Sequence, residues 1–423
     1  MNSRERVTKS LNHQEPDHIP LDLGGSSVTG MHVSVVYGLR QALGLDAPGT
    51  PVKVIRPYLM LGEVKLDLVE ALGIDVVRLA GTNTMFGYRA EDWKPWTTFD
   101  GTPVLVPGGF NTDPEPNGDL LQYPEGEKTL PPSGRMPRDG WYFDAIIRQE
   151  PIDDEHLNVE DNLEEFGLLS DGELAALGQE AERLHTQTDR AILAKFSGTA
   201  FGDIAAVPAP WLRRPKGIRD VAEWYMSTVT RREYIYQVFE RQSEIALANL
   251  ERIYRSVGDR VSAVYLTGTD FGMQTGPFLS PQTYRELYQP FHRRLNDWIH
   301  QHTGWKTFMH SCGSVASLLK DFIEAGFDIL NPVQCSAAGM EPAELERRFG
   351  DRIVFWGGGV DTQHTLPFGT PEQVRHQVRE RIRAFGPGGG FVFNPIHNVQ
   401  PGTPIENLMA MFEALHEFGH YPV

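Results

Sequence analysis

The sequence predicts a (β/α)8 barrel with an insertion over the barrel mouth, and three observations lead there. Short, unbroken apolar runs recur along the chain, amphipathic stretches with helix-start signals separate them, and 423 residues are enough for one large barrel with additions. The runs are HIPLDL (18–23), IDVVRL (74–79), AILAKF (191–196), SAVYLTG (262–268), WKTFMH (305–310), FDILNPV (327–333), RIVFWGG (352–358) and FVFNP (391–395). They are continuous rather than alternating, as strands covered on both faces must be. A doubly wound open sheet fits less well, because no G-x-G-x-x-G opens a helix after a strand.

The elements between the runs carry their own signals. Ser280-Pro281 starts a stretch with Tyr284, Leu287, Tyr288, Phe291, Leu295, Trp298 and Ile299 at near-helical spacing. Thr370-Pro371-Glu372-Gln373 and Thr403-Pro404-Ile405-Glu406 both read as capping boxes, with Gly386 and Gly419 placed to end those helices. Residues 81–190 break the rhythm and are expected to form the insertion within a single domain spanning 1–423. Within it TPVLVP (102–107) and DLLQYP (119–124) predict a β-hairpin, and 153–185 an acidic helical segment.

Composition excludes several classes of function. The formal charge of −17 disfavours nucleic acid or an anionic membrane surface as partner, since both require clustered Lys and Arg. Two cysteines, Cys312 and Cys335, cannot form a disulfide framework and point to a reducing, cytoplasmic setting. There is no signal-type h-region, and no apolar run approaches the roughly 18 residues a membrane helix needs.

In a barrel, chemistry gathers at the C-terminal ends of the strands. The fifth run ends in His310-Ser311-Cys312-Gly313. On a strand, residues i and i+2 share a face, so an imidazole and a thiol stand side by side there, half of a tetrahedral zinc site. A helix opening at Gly313-Ser314 would favour the thiolate. Cys335 after the sixth run and His397 after the eighth compete as further ligands. Asp270, after the fourth run, is a candidate fourth ligand or proton-transfer group. Asp22 ends the first run, and Asp361, after the Gly357–Gly359 loop, reads as a helix cap. Lys195, inside the third run, is either a Schiff-base lysine or one half of an ion pair. His292, His300, His302 and His364 are expected on solvated faces.

Several longer stretches resemble the uroporphyrinogen decarboxylase superfamily. They are SRERVTKSLNHQEPDHIPLDLGG (3–25), SPQTYRELYQPFHRRL (280–295), HSCGSV (310–315), GFDILNPVQ (326–334), FWGGGVDTQHTLPFGTPEQV (355–374) and FNPIHNVQPGTPIENL (393–408). The resemblance implies one of two activities. Decarboxylases of the superfamily use no metal and hold tetrapyrrole carboxylates with an arginine-rich N-terminal motif, whereas residues 17–25 contain no arginine. Cobalamin-dependent methyltransferases hold zinc with a His-x-Cys pair and a distant Cys. His310 and Cys312 match the pair, and His397 stands where the distant Cys falls. The resemblance therefore implies a zinc methyltransferase that moves a methyl group between a small donor or acceptor and a corrinoid. No D-x-H-x-x-G motif is present, so the corrinoid is expected on a separate protein.

Overall fold

The computed structural model describes residues 1–423. In chain order its strands are β1 (Val52–Arg56), β2 (Leu61–Gly62), β3 (Val76–Ala80), β4 (Lys94–Thr97), β5 (Pro103–Val106), β6 (Leu120–Gln122), β7 (Gly134–Met136) and β8 (Asp144–Ala145). They continue with β9 (Ala191–Lys195), β10 (Ala263–Thr267), β11 (Lys306–His310), β12 (Ile329–Asn331), β13 (Val354–Trp356) and β14 (Phe391–Val392). Seven of them form one curled sheet in the order β14-β13-β12-β11-β10-β9-β3, with every pair parallel. The architecture is α/β and TIM-barrel-like.

Seven of the eight apolar runs are strands of this sheet. The first, 18–23, enters as a bridge rather than a strand. The Phe393 amide donates to the Pro20 carbonyl and the Asp22 amide to the Phe393 carbonyl, while the Asp75 amide donates to the Leu21 carbonyl. The segment thus links the two edges of the sheet. Pro20 has no N–H to contribute to a ladder, and the Leu21 amide turns instead to the Asp75 carboxylate at 2.9 Å.

Both faces of each strand are apolar for two different reasons. Val76, Leu193, Ala263, Tyr265, Phe308, Ile329, Val354, Trp356 and Val392 pack together inside the curl, with Val7 and Leu11 of the helix Ser3–Leu11 among them. Their neighbours Val77, Ile192, Val264, Met309, Leu330 and Phe355 belong to the larger core beneath the surrounding helices. Because side chains alternate, this parity sends Lys195, His310, Asn331 and Asn394 to the inner side at the C-terminal end.

The segment around 81–190 departs from the expectation in several ways. The runs 102–107 and 119–124 do not form a hairpin. β5 pairs antiparallel with β4 and parallel with β1, whereas β6 pairs with β7. The four-stranded sheet β2-β1-β5-β4 therefore draws on residues 52–62, and a separate sheet runs β6-β7-β8. The acidic helix begins only at Asp171 and runs to Gln187, capped by Ser170 and Glu173. Thr370 forms its capping box, but the Thr403 hydroxyl donates to the Gln400 carbonyl and leaves its helix without a side-chain cap. Tyr142 donates to Gln400 Oε1 at 2.7 Å, fastening the segment to the loop after β14. His292 is not on a solvated face: it is buried, and its Nδ1 lies 3.0 Å from the Tyr284 hydroxyl. No helix is long and apolar enough to cross a membrane.

Candidate metal centre

Three strand ends bring the site together. His310 is the last residue of β11, and its Nδ1 lies 2.7 Å from the Asn331 side-chain oxygen at the end of β12. That oxygen can only accept, so Nδ1 carries the proton and Nε2 keeps its lone pair. The Asn331 amide nitrogen in turn donates to the Trp356 carbonyl at 2.8 Å on β13, which leaves the side chain no alternative orientation. Cys312 Sγ stands 3.4 Å from His310 Nε2. His397, from the loop after β14, sets its ring 5.4 Å from that of His310 at 70°. Donor atoms of His310, Cys312 and His397 all lie within 4.8 Å of one another.

Asp270, in the loop after β10, closes one side. Its Oδ1 accepts the Cys312 amide at 2.7 Å and lies 4.0 Å from His310 Nε2. About a third of its side chain remains open (37%), in contrast with 5% for His310, so it is open to an incoming molecule where His310 is not. Two loops are locked together beneath it. The Phe271 amide donates to Ser311 Oγ at 2.9 Å, and the Ser314 amide to the Met273 carbonyl at 2.8 Å. Gly313, at φ +86°, lies so close to Gly272 that a Cβ there would overlap its backbone.

Burial controls the protonation states. It pushes both His310 and His397 down to about 4, so both are neutral ligands at physiological pH. It pushes the Cys312 thiol well above its ordinary range, and the Asp270 carboxylate adds to the effect. Burial also raises Asp270, opposed by the amide of Cys312. The expected helix terminus behind Cys312 is not there: the next helix begins at Leu319 and is six residues long. With no helix dipole to help, a cation is the species that would bring Cys312 to thiolate.

The donor set suits zinc. Bonds of about 2.1 Å to nitrogen and 2.3 Å to sulfur place tetrahedral ligand atoms about 3.4–3.7 Å apart, and the Sγ–Nε2 separation already lies there. Two imidazoles and one thiol leave a fourth position on the side of Asp270. The hydrogen bond from His310 to Asn331 is the outer support that ligating histidines ordinarily have.

The other candidate residues lie apart from this cluster. Cys335 Sγ donates to the Val333 carbonyl at 3.3 Å and is not one of the three grouped donors. Burial pushes its thiol up to about 11. Lys195 Nζ pairs with Asp203 at 3.4 Å and sits 4.2 Å above the Tyr265 ring. Asp22 is buried and accepts Trp356 Nε1 at 2.9 Å and the Gly25 amide at 2.8 Å. Asp361 accepts the amides of Gln363 and His364, the turn cap its sequence implied. Asn331 is the residue that sequence reasoning passed over, although its place two residues after the inward Ile329 marked it as inward-facing.

The model of the family described as uroporphyrinogen decarboxylase (URO-D) matches residues 204–418. The chain belongs to the uroporphyrinogen decarboxylase family. Over 214 residues it is 27% identical to a uroporphyrinogen decarboxylase from Pseudoalteromonas translucida, covering 46% of this chain and 56% of that protein. Over 139 residues it is 32% identical to a methylated-thiol–coenzyme M methyltransferase from Methanosarcina mazei, covering 33% of this chain and 34% of the other. These matches span roughly half or less of the relatives' length. A solved methyltransferase from Methanosarcina mazei superposes with a TM-score of 0.54 at 15% identity, over 99% of both chains, a likeness of fold. URO-D family members are enzymes, and both of the family's activities are represented among these relatives.

Proposed function

We propose that this URO-D family protein is a zinc-dependent methyltransferase that moves a methyl group between a small substrate and a corrinoid carried on a separate protein. The observation that carries the reading is the His310–Cys312–His397 group, His310 buried and the other two half-buried, with donor atoms within 4.8 Å at strand ends. A decarboxylase that works without metal has no use for a neutral N,S,N donor set of this kind. The likeness to a methylated-thiol methyltransferase supports the same branch. The URO-D-named relatives favour decarboxylation, but residues 17–25 offer no arginine to an anionic tetrapyrrole.

On this reading His310, Cys312 and His397 hold the metal, and Asn331 fixes the His310 tautomer. Zinc bound there would supply Lewis acidity, lowering the pKa of a substrate thiol or polarising an ether oxygen or amine nitrogen. Asp270, half-open beside the fourth position, is the fourth ligand or accepts the proton that a substrate thiol or hydroxyl loses. The two small sheets between residues 52 and 145 cover the mouth and shape the pocket. Compartment follows from the same reading, since reduced corrinoids and a free thiol both belong in reducing cytoplasm.

The test is to incubate zinc-loaded protein with reduced cobalamin and a panel of methylated thiols, ethers and amines, following the loss of reduced-corrinoid absorbance. Turnover with a panel member, abolished in Cys312→Ala, is expected. Release of CO2 from uroporphyrinogen by metal-free protein would replace this reading with the decarboxylase one.

A further inference from the structure

The two small sheets border an open cavity of about 440 Å³, which shares no residue with the His310–Cys312–His397 group. This volume falls within the ordinary range for small-molecule sites, about 300–1,000 Å³. Trp96 comes from β4 and Met136 from β7, so regular strands set two of the walls. Phe99 and Trp141 meet edge to face at 4.3 Å, and Phe99 leaves 47% of its surface open. His32 and Met60, both buried, lie at the inner end.

The lining sets aromatic and thioether faces beside Thr97, Thr98, Thr112 and the exposed Arg138–Asp139 pair, with the buried His32 ring among them. Three aromatic rings and two thioethers favour a flat, apolar body, through ring stacking and sulfur–ring contact. His32 supplies a polar atom. Its Nδ1 accepts the Ser34 amide at 3.2 Å. An amide can only donate, so in the neutral ring the proton is on Nε2. Burial keeps the ring neutral by pushing it down to about 4. Nε2 is buried and lacks a well-formed hydrogen bond; the Trp141 carbonyl is the acceptor nearest to it and raises the ring's pKa against burial. A buried donor so poorly paired is costly, and an acceptor on an occupant would relieve that cost. The Trp141 indole stands edge-on to His32 at 5.2 Å and covers this end, so an occupant reaches Nε2 by displacing it.

We infer that this cavity is a second small-molecule site, built for a planar aromatic compound that carries a neutral hydrogen-bond acceptor. Trp96, Phe99 and Trp141 take its ring, and His32 Nε2–H donates to its acceptor atom. The site sits against the metal loop without belonging to it. The His32 amide donates to the Val399 carbonyl, and the Gly30 amide to Asn398 Oδ1 at 2.6 Å. An occupant is therefore two residues of backbone away from His397. The inference does not depend on the metal reading.

The test titrates benzamide, a ring with a carbonyl acceptor, and toluene, a ring without one, against the full chain by ligand-observed NMR and tryptophan fluorescence. Benzamide is expected to bind saturably, and more tightly than toluene, in the wild type and equally in Cys312→Ala, where the metal group is broken. Phe99→Ala, at an exposed position that the fold does not need, is expected to weaken both probes about fivefold to tenfold through the lost ring contact. His32→Leu is expected to bring benzamide down to the affinity of toluene. Absence of saturable benzamide binding up to its solubility, or the same affinity in Phe99→Ala, would overturn the site. Equal affinities for the two probes would overturn the role of His32.

Discussion

Replacing Asn331 by Leu tests the outer support of the metal centre without touching a ligand. The side chain does two things at once: its oxygen takes the His310 Nδ1 proton at 2.7 Å, and its nitrogen gives to the Trp356 carbonyl at 2.8 Å. Leucine fills similar volume but ends both bonds. Losing the acceptor frees the imidazole to rotate and to exchange tautomers, and comparable losses weaken metal sites about tenfold to hundredfold, or about 1.4–2.7 kcal/mol. The buried Trp356 carbonyl and His310 N–H left unpaired add a stability loss of about 1–3 kcal/mol each. Asn331→Asp separates the two effects. Its carboxylate still accepts from Nδ1–H, and its charge makes the imidazole a better ligand, while the bond to Trp356 is lost. Competition with a chromophoric chelator should therefore give weaker zinc binding for Asn331→Leu and wild-type or tighter binding for Asn331→Asp, with both variants less stable to urea. Zinc affinity in Asn331→Leu within about twofold of wild type would refute the orienting role, because the expected loss is at least about tenfold.

Three further outcomes follow from the geometry and charge. Cys312 is held as a thiol while His310 and His397 titrate at about 4, so zinc uptake near neutral pH should release one proton, that of Cys312. Affinity should then rise about tenfold per pH unit above about pH 5, which calorimetry in buffers of different ionisation enthalpy will read; release of two or more protons would contradict the neutral histidines. Gly313→Ala places a Cβ against the Gly272 backbone at φ +86°. It should destabilise the chain by about 1–3 kcal/mol and weaken metal binding by separating Cys312 from Asp270, and wild-type zinc affinity in a folded variant would count against the brace. Buried Asp22 is raised by burial to about 6, above its value in the unfolded chain, so its contribution to stability is full below about pH 4 and is lost as pH rises through 6. The shift of about two units corresponds to about 3 kcal/mol; urea midpoints of wild type and Asp22→Asn should converge toward about pH 4 and move apart in favour of Asn by about pH 7, and parallel pH profiles would contradict the raised value.

What the sequence made legible follows from what was local. Seven strands were readable because a strand covered on both faces must be mainly apolar without alternation, as AILAKF and FDILNPV are. Pairing between distant segments was not readable. TPVLVP and DLLQYP look like hairpin partners by proximity, yet β5 finds β4 and the unremarked VKVIR of β1, a choice made by tertiary packing rather than by the turn between the runs. The first run, 18–23, is a bridge rather than a strand because Pro20 has no amide to give a ladder, and the Leu21 amide turns to the Asp75 carboxylate. Thr403 looked identical in type to Thr370 but turned its hydroxyl back to Gln400. Nothing in the sequence singles His292 out from the histidines expected on solvated faces, yet the helix phase turns it into an aromatic pocket beside Tyr284. At the metal centre, His310 and Cys312 were legible as an i, i+2 pair. His397 was legible as a candidate from its place after the eighth run, but the choice between it and Cys335 was not, since loop paths leave no trace in the sequence; the structure groups His397 with the pair. Asn331 escaped notice because an outer-shell hydrogen bond leaves no motif.

The central claim is that His310, Cys312 and His397, without Cys335, hold one metal ion. Metal content by mass spectrometry on zinc-supplied wild type, Cys312→Ala, His397→Ala and Cys335→Ala tests it most directly. The account predicts about one zinc per chain in wild type and Cys335→Ala, and little in Cys312→Ala or His397→Ala. A Cys335→Ala protein stripped of zinc, beside a His397→Ala protein that keeps it, would contradict the site as described.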